Sequence, residues 1–168
     1  MLISGFIASG EDHLAGAKTR AGDIWGPISR ESPVIPFDFT KYYEPEMGPR
    51  LLRQFVAFRR LIEQEALPDF KVQARTLEAE LGDSSSGRLR RRANIDPGYL
   101  TLERLVLATT KNYSHRIYLR DGIFAELALA FCSDTFRPLE WTYPDYRTAL
   151  AIEFFNTVRD DLKDRLRG

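Results

Sequence analysis

The clearest constraint on the fold is the stretch SHRIYLRDGIFAELALAF at residues 114–131, which contains a two-residue turn. Asp121-Gly122 between alternating and apolar runs is a strong signal of a β-hairpin, because glycine readily adopts the positive φ that such a turn needs. The two strands of a hairpin are antiparallel. The stretch therefore predicts an antiparallel sheet in the second half of the chain.

The rest of the chain predicts further strands at 2–8, 32–39 and 51–62, and helices at 10–22, 69–81, 102–110 and 147–166. Residues 51–62 also have helical spacing, but their Phe and Val residues favour a strand. Ser9 and Asp12 form a capping-box arrangement before the first helix. The stretch GDSSSGR at 82–88 predicts a flexible loop.

These elements predict an α+β fold, with a mixed or antiparallel sheet and helices packed on one face. A ferredoxin-like arrangement with an added β-hairpin is compatible with their order. The 168 residues, 43% hydrophobic and 29% charged, fit a single domain over residues 1–168.

The composition also bears on the compartment. The chain has neither a basic leader with a cleavage site nor a long apolar run, so no signal peptide or membrane span is predicted. The single cysteine, Cys132, excludes an internal disulfide and fits a reducing cytoplasm. Its strand-like context, LALAFC, predicts a small buried residue rather than a nucleophile.

The formal net charge is zero, but it is unevenly distributed. Residues 50–120 carry 14 basic and 8 acidic side chains, giving +6, whereas 1–49 and 121–168 each carry −3. A basic middle in a neutral protein suits one anionic ligand better than broad coating of nucleic acid. A solvated arginine face would account for the same distribution without any ligand.

The hairpin also predicts a pair of candidate catalytic residues. If Asp121-Gly122 is the turn, Ile117 faces Glu126, and His115 lies diagonally from Glu126 at about 7–8 Å. Glu126 is then the one acid on an otherwise apolar side, where a carboxylate needs a partner or a raised pKa. His115 and Glu126 are therefore candidates for acid–base chemistry or ligand orientation. A hydrogen-bonded pair that only stabilises the hairpin is the alternative.

Several hydrogen-bond donors precede this hairpin in KNYSHR at residues 111–116. Lys111, Ser114 and Arg116, together with His115, suit a phosphate or a carboxylate. The position at a helix-to-strand junction predicts that they lie close together.

The stretch NIDPGYL at residues 94–100 predicts the end of a strand, followed by a type II turn at Asp96-Pro97-Gly98. Thr101 would then cap the helix predicted at 102–110. Asn94 and Asp96 would project at the strand end, where ligand-binding residues are common. We expect Asn94 to bind ligand and Asp96 to transfer a proton or to orient the ligand.

Two aromatic segments add binding candidates. PFDFTKYYEPEMG carries Asp38, Glu44 and Glu46, whose oxygens would suit Mg²⁺ because no histidine is nearby. Tyr43 in that segment, and Tyr143 and Asp145 in WTYPDYR, would pack on or bind a ligand ring, although such aromatics often only anchor a loop. One cysteine and two distant histidines do not form a zinc pattern.

The early segment GEDHLAGAKT resembles a phosphate-binding loop but does not match that motif. The motif places four residues between its first glycine and a Gly-Lys pair. Here five residues separate Gly10 from Gly16, and Ala17 stands before Lys18. We therefore exclude a P-loop.

Three stretches carry a family resemblance: PFDFTKYYEPEMG, NIDPGYLTLERLVLATTKNYSHRIYLRDGIFAELAL and WTYPDYRTALAIEFFNTVR. They resemble the prokaryotic domain-of-unknown-function family 4416 over nearly the whole chain. Some members are labelled "GTP-binding protein", which implies nucleotide binding in a non-standard pocket, but the family implies no reaction and no catalytic residues. Ala74-Arg75 stands where Thr-Asn is expected, and the arginine run at 88–92 is a local feature.

The function predicted first is binding of a phosphorylated or nucleotide-like small anion near the 111–126 hairpin, with catalysis left open. The second is an RNA-binding module that uses the basic middle. The third is a structural or interaction domain, including a homodimer formed through a sheet edge. A concave pocket that joins the three familiar stretches would favour the first.

Overall fold

The computed structural model describes residues 1–83 and 89–168, and these form nine strands and four helices. The strands are β1 (Leu2–Ala8), β2 (Ile28–Glu31), β3 (Ile35–Phe37), β4 (Leu51–Phe58), β5 (Ala93–Leu100), β6 (Arg104–Thr109), β7 (Ile117–Arg120), β8 (Ile123–Cys132) and β9 (Thr135–Pro138). The helices are α1 (Glu11–Trp25), α2 (Glu44–Met47), α3 (Leu67–Glu80) and α4 (Ala149–Arg167). The loop predicted at 82–88 lies outside the described residues from residue 84 onward.

All strands belong to one antiparallel sheet in the order β2-β4-β1-β5-β6-β8-β7, with β3 beside β4 and β9 beside β8. The βαββαβ order of ferredoxin-like folds is formed by β1, α1, β2, β4, α3 and β5, with β3 and α2 inserted between β2 and β4. Strands β6 to β9 extend this core. The predicted α+β fold on an antiparallel sheet is confirmed.

Helices cover both faces of the sheet. Leu2 and Phe6 of β1 pack with α1 and α3, whereas Ile3 packs with α4 on the opposite face. This alternation follows from the two-residue period of a strand. The helices α1 and α3 share one face, as expected for all helices, whereas α4 lies on the opposite face and adds a third layer. Helical spacing places the buried residues of α4 on one stripe: Ala151, Phe154, Phe155, Val158 and Leu162.

The helix predicted at 102–110 is wrong, because this segment forms β6. Leu105 to Ala108 are all buried, so both faces of the strand are apolar. A continuous apolar run of this kind does not distinguish a buried strand from a buried helix. Thr101 does not cap a helix; its Oγ1 accepts hydrogen bonds from the backbone N–H groups of Glu103 and Arg104 in the β5–β6 turn.

The type II turn predicted at Asp96-Pro97-Gly98 is also wrong, because these residues continue β5. Ile95 directs its N–H and C=O away from β1, to side chains of α3. Pro97, two residues further, has the same orientation and has no N–H to donate towards β6. Proline is tolerated here because the pairing with β6 begins only at Gly98.

Two local predictions fail for identifiable reasons. Ser9 is not a helix cap, since α1 begins after Gly10 and the Ser9 hydroxyl donates to the Arg92 carbonyl. Cys132 is exposed rather than buried, because it is the last residue of β8.

None of the helices formed by the described residues is both long and apolar enough to cross a bilayer.

The hairpin forms as predicted at Asp121-Gly122, but its register changes after the first pair. Arg120 pairs with Ile123, and the next pair is Tyr118 with Phe124, so Leu119 is an extra residue. Such a bulge shifts all later pairs by one position. Ile117 therefore faces Ala125 instead of Glu126, and its side chain is 68% exposed.

Strands β5 and β6 pair over only three residues and then diverge. Gly98, Tyr99 and Leu100 face Leu107, Val106 and Leu105, whereas residues 93–97 pair only with β1. A Cβ atom on Gly98 would lie 2.4 Å from the Val106 carbonyl oxygen. Close backbone approach at Gly98 thus defines the point from which the two strands separate.

We predict that Gly98→Ala destabilises the protein by about 1–3 kcal/mol, because the added methyl group collides with backbone that has little room to move. The matched control is Gly16→Ala in α1, where a Cβ would meet nothing within 4 Å. That change should stabilise the helix by about 0.5–1 kcal/mol. Urea unfolding measures both, and equal effects of the two substitutions would contradict the close approach at Gly98.

Candidate functional site

A cavity of about 510 Å³ lies against the divergent parts of β5 and β6. Its wall includes residues from β1, β4, β5, β6, β8 and α3, from the segment 37–43 and from the turn 143–146. The polar and charged residues of the lining include Arg53, Lys71, Arg75, Glu78, Arg91, Asn94, Asp96, Lys111, Glu126, Tyr143 and Asp145.

Arg53 of β4 is a buried charge, with 1% of its side chain exposed. Its Nη2 donates to Asp145 at 2.8 Å, and its Nη1 lies 3.9 Å from Asp96. Burial acts to lower the pKa of Arg53, but the combined effect of Asp145, Tyr146, Asp96 and Tyr43 outweighs this and the pKa is raised. Gly5 makes room for the guanidinium, since a Cβ there would lie 2.6 Å from Nη2.

Side chains of α3 replace the missing strand partner of β5. Lys71 Nζ donates to the Ile95 carbonyl at 2.9 Å and to Asp96 at 3.1 Å, and the Ile95 N–H donates to Glu78 at 2.7 Å. Burial raises the pKa of Glu78, while nearby Lys71 opposes that rise. The two side chains thus satisfy backbone groups that would otherwise be buried without partners.

Arg91 connects α2, α3 and β5. Its Nε and Nη2 donate to the two oxygens of Glu46 at 2.9 and 2.7 Å, and its Nη1 lies 3.2 Å from Glu78. The same Nη1 donates to Asn94, whose amide in turn donates to Asp96 at 2.7 Å. The two-pronged ion pair with Glu46 is the strong form of arginine–carboxylate contact.

The Arg91 contacts bear on the metal site predicted at Asp38, Glu44 and Glu46. Glu46 pairs with Arg91, and Asp38 is exposed. Within residues 1–83 and 89–168, no group of three or more His, Cys, Asp or Glu side chains is placed to hold a metal ion. The structure therefore does not assemble these three carboxylates into a site.

Glu126 of β8 also lines the cavity and is 1% exposed. Its Oε2 accepts from Arg116 Nε at 2.6 Å and lies 3.3 Å from His115 Nε2. His115 stacks on Trp141, with ring centroids 5.1 Å apart. The predicted His115–Glu126 pair is thus formed, although the register that suggested it was wrong, and Arg116 is the shorter contact.

Arg116 also holds the loop that follows β6. Its Nη1 donates to the Lys111 carbonyl at 2.9 Å, and its Nη2 donates to the Tyr143 hydroxyl at 2.6 Å. The Lys111 ammonium lies 3.8 Å from the centroid of the Tyr42 ring, a cation–π contact at the exposed edge of the cavity. Arg116 therefore acts mainly within the protein, while Lys111 faces the opening.

The structure brings together most of the residues that the sequence singled out. Lining the cavity are Asn94, Asp96, Lys111, Glu126, Tyr43, Tyr143 and Asp145. His115 and Arg116 lie behind Glu126, and Ser114 is exposed outside the lining. Asp96 and Glu126 line one cavity but belong to separate ion-pair networks.

Sequence reasoning missed Arg53, Lys71, Glu78 and Arg91. Arg53 had a detectable signal, because it stands in the alternating series Leu51, Arg53, Phe55 on β4. A charged residue at an inward position of an apolar strand face needs a buried partner. Lys71 and Glu78 lie on the same side of α3, about two helical turns apart, and nothing in their sequence context indicates that they bind β5.

The architecture can be compared with known proteins. The family model described as "Domain of unknown function (DUF4416)" matches residues 1–162. The chain belongs to this family. The resemblance stated for the three sequence stretches is thereby confirmed. Comparisons with curated proteins and with solved structures find no match for this DUF4416 chain.

We predict that Asp145→Asn lowers the free energy of unfolding by about 3 kcal/mol, because it leaves the buried Arg53 guanidinium without its closest countercharge. The matched control is Asp161→Asn, which breaks an ion pair with Arg30 whose side chains are about 40% exposed. That change should cost less than about 1 kcal/mol. Similar small losses for both variants in urea unfolding would contradict the central place of Arg53–Asp145.

A second prediction concerns alkaline pH. Burial, reinforced by the Glu126 carboxylate, raises the pKa of Tyr143 from 10.0 to about 12. The unfolded chain therefore loses this proton first, and stability should fall as the pH rises from 10 towards 12. Tyr143→Phe should flatten that decline in urea unfolding, and Tyr118→Phe, which removes an exposed phenol, is the control. An unchanged slope in Tyr143→Phe would refute the assignment.

Proposed function

We propose that the cavity binds a phosphorylated or nucleotide-like small anion. The observation that carries the proposal is the distribution of paired and unpaired cations. Arg53, Lys71 and Arg91 each contact a carboxylate that lines the cavity: Asp145, Asp96 and Glu78. Lys111 and Arg75 are exposed lining residues without a carboxylate partner among the residues that the structure describes. Positive charge is therefore available to an anion at the opening.

The size and walls of the cavity support the same proposal. A volume of about 510 Å³ lies within the range of about 300–1,000 Å³ typical of small-molecule sites. The three stretches that carry the family resemblance all contribute to its wall, which includes the rings of Phe39, Tyr42, Tyr43 and Tyr143. Such rings pack on a base or a sugar. The GTP-binding label of some family members fits this class of ligand.

Catalysis is an extension of the proposal rather than a part of it. Asp96 keeps 27% of its side chain exposed and lines the cavity, so it is accessible to a ligand. Glu126, supported by His115, is the second candidate for proton transfer. Either group would act as a general acid or base only on a ligand placed within hydrogen-bond reach.

The alternative functions concern another surface. β7 is a short edge strand whose four residues are exposed, including Ile117 and Tyr118. Such an edge suits a protein partner or a second copy of this chain. The cavity is concave and is lined by the three stretches that carry the family resemblance, which supports binding of a small molecule over binding of RNA. We propose the reducing cytoplasm, predicted from the single cysteine, as the compartment.

The first test is a thermal-shift screen of nucleotides, sugar phosphates and short RNA, each with and without Mg²⁺, followed by titration calorimetry on every hit. Binding to the folded protein raises its melting temperature. We predict that Lys111→Ala weakens a phosphorylated hit by roughly threefold to tenfold, because an exposed ion pair contributes modestly. Lys163→Ala on α4, outside the cavity, is the control and should leave affinity unchanged.

Arg75→Asn is an informative second variant, because asparagine is the residue that the family resemblance predicts there. A loss of affinity would make Arg75 a feature specific to this chain, whereas unchanged affinity would leave Lys111 as the anion contact. The absence of any shift with phosphorylated small molecules would overturn the proposal. Salt-sensitive binding of RNA alone would replace it with the RNA-binding function.

A further inference from the structure

Two residues that line the cavity have buried side-chain atoms without a hydrogen-bond partner among the described residues. These atoms are Oε1 of Glu126, and Nε and Nη1 of Arg53, and both side chains are 1% exposed. Nearly all buried polar groups in folded proteins are hydrogen-bonded, so unpaired atoms beside a cavity indicate where a bound molecule supplies the missing partner.

The polarity of the Glu126 and Arg53 atoms defines what the missing partner must offer. Glu126 Oε1 is an acceptor and needs a donor, whereas the Arg53 nitrogens are donors and need an acceptor. The bound group must therefore carry an N–H or O–H together with a carbonyl or ring nitrogen. Amide-like edges, such as those of nucleobases, carry both.

The net charge of the bound group also follows from the contacts. Arg53 is already paired with Asp145 at 2.8 Å, and Glu126 with Arg116 at 2.6 Å. A charged group placed deep in the cavity would have no free countercharge, and burying an unpaired charge is costly. A neutral group that makes hydrogen bonds avoids that cost.

The opening has the opposite character. Lys111 and Arg75 are exposed there and have no carboxylate partner among the described residues. An anionic group at this position keeps part of its hydration and meets two cations. The cavity is thus neutral and hydrogen-bonding inside, and cationic at its edge.

We propose that the ligand binds in one orientation, with its phosphate at Lys111 and Arg75 and a neutral amide-like ring inside. The ring donates a hydrogen bond to Glu126 Oε1 and accepts one from Arg53. This inference rests on the proposed function and narrows its ligand to phosphorylated compounds with a nucleobase-like ring. Glu126 is then a specificity-determining residue.

The test compares nucleoside monophosphates of the four bases, their nucleosides and ribose phosphate by calorimetry. In Glu126→Gln, the carbonyl oxygen of the new amide takes the place of Oε2 and keeps the contact with Arg116. Its NH₂ group then stands in place of Oε1, so a donor replaces the acceptor that the N–H of the ligand needs. We expect this substitution to weaken the preferred nucleotide and its nucleoside alike, by roughly tenfold to a hundredfold. Lys111→Ala should weaken only the nucleotide.

A measurement on the unchanged protein keeps the test independent of how the variant folds. Methylation that removes the N–H donor of the preferred base, on the ring or on its exocyclic amino group, should cause a comparable loss of affinity. Equal binding of ribose phosphate and nucleotides, with no effect of Glu126→Gln or base methylation, would overturn the orientation while the proposed function stands. Absence of binding by every phosphorylated compound would overturn both.

Discussion

Strands β5 and β6 pair only from Gly98 to Leu100 of β5. Backbone polar groups earlier in β5 therefore need other partners on that side. Lys71 and Glu78 of α3 supply them at Ile95. These contacts stabilise the separation of β5 from β6, which would otherwise weaken the sheet. The space between the strands forms a cavity, and charged side chains of α3 lie in its wall.

The charges around this cavity are arranged in layers. In the interior, Arg53 is paired with Asp145, and Glu126 with Arg116, because a buried charge without a partner is unstable. At the edge, the ammonium of Lys111 lies over the ring of Tyr42 and has no carboxylate partner among the described residues, so water can solvate it. The same electrostatic rule that stabilises the fold thus leaves positive charge available where a soluble anion would arrive.

Elements with strong local signals were predictable. Asp121-Gly122 specifies its turn because glycine accepts positive φ, and the apolar stripe of α4 follows from helical spacing. The β6 strand and the extended course of Asp96-Pro97-Gly98 were not predictable in this way. In both cases the decisive factor is a neighbouring strand, which local propensity does not encode.

The sequence by itself determined the α+β class, the hairpin, the terminal helix and many of the residues that line the cavity. Only the tertiary structure decided how they are paired. The bulge at Leu119 changed the hairpin register, and yet Arg116 and His115 still reach Glu126. Arg53 acquired its role because Gly5 leaves space for it beside Asp145. Such contacts join residues far apart in the chain, and their geometry depends on packing across the whole sheet.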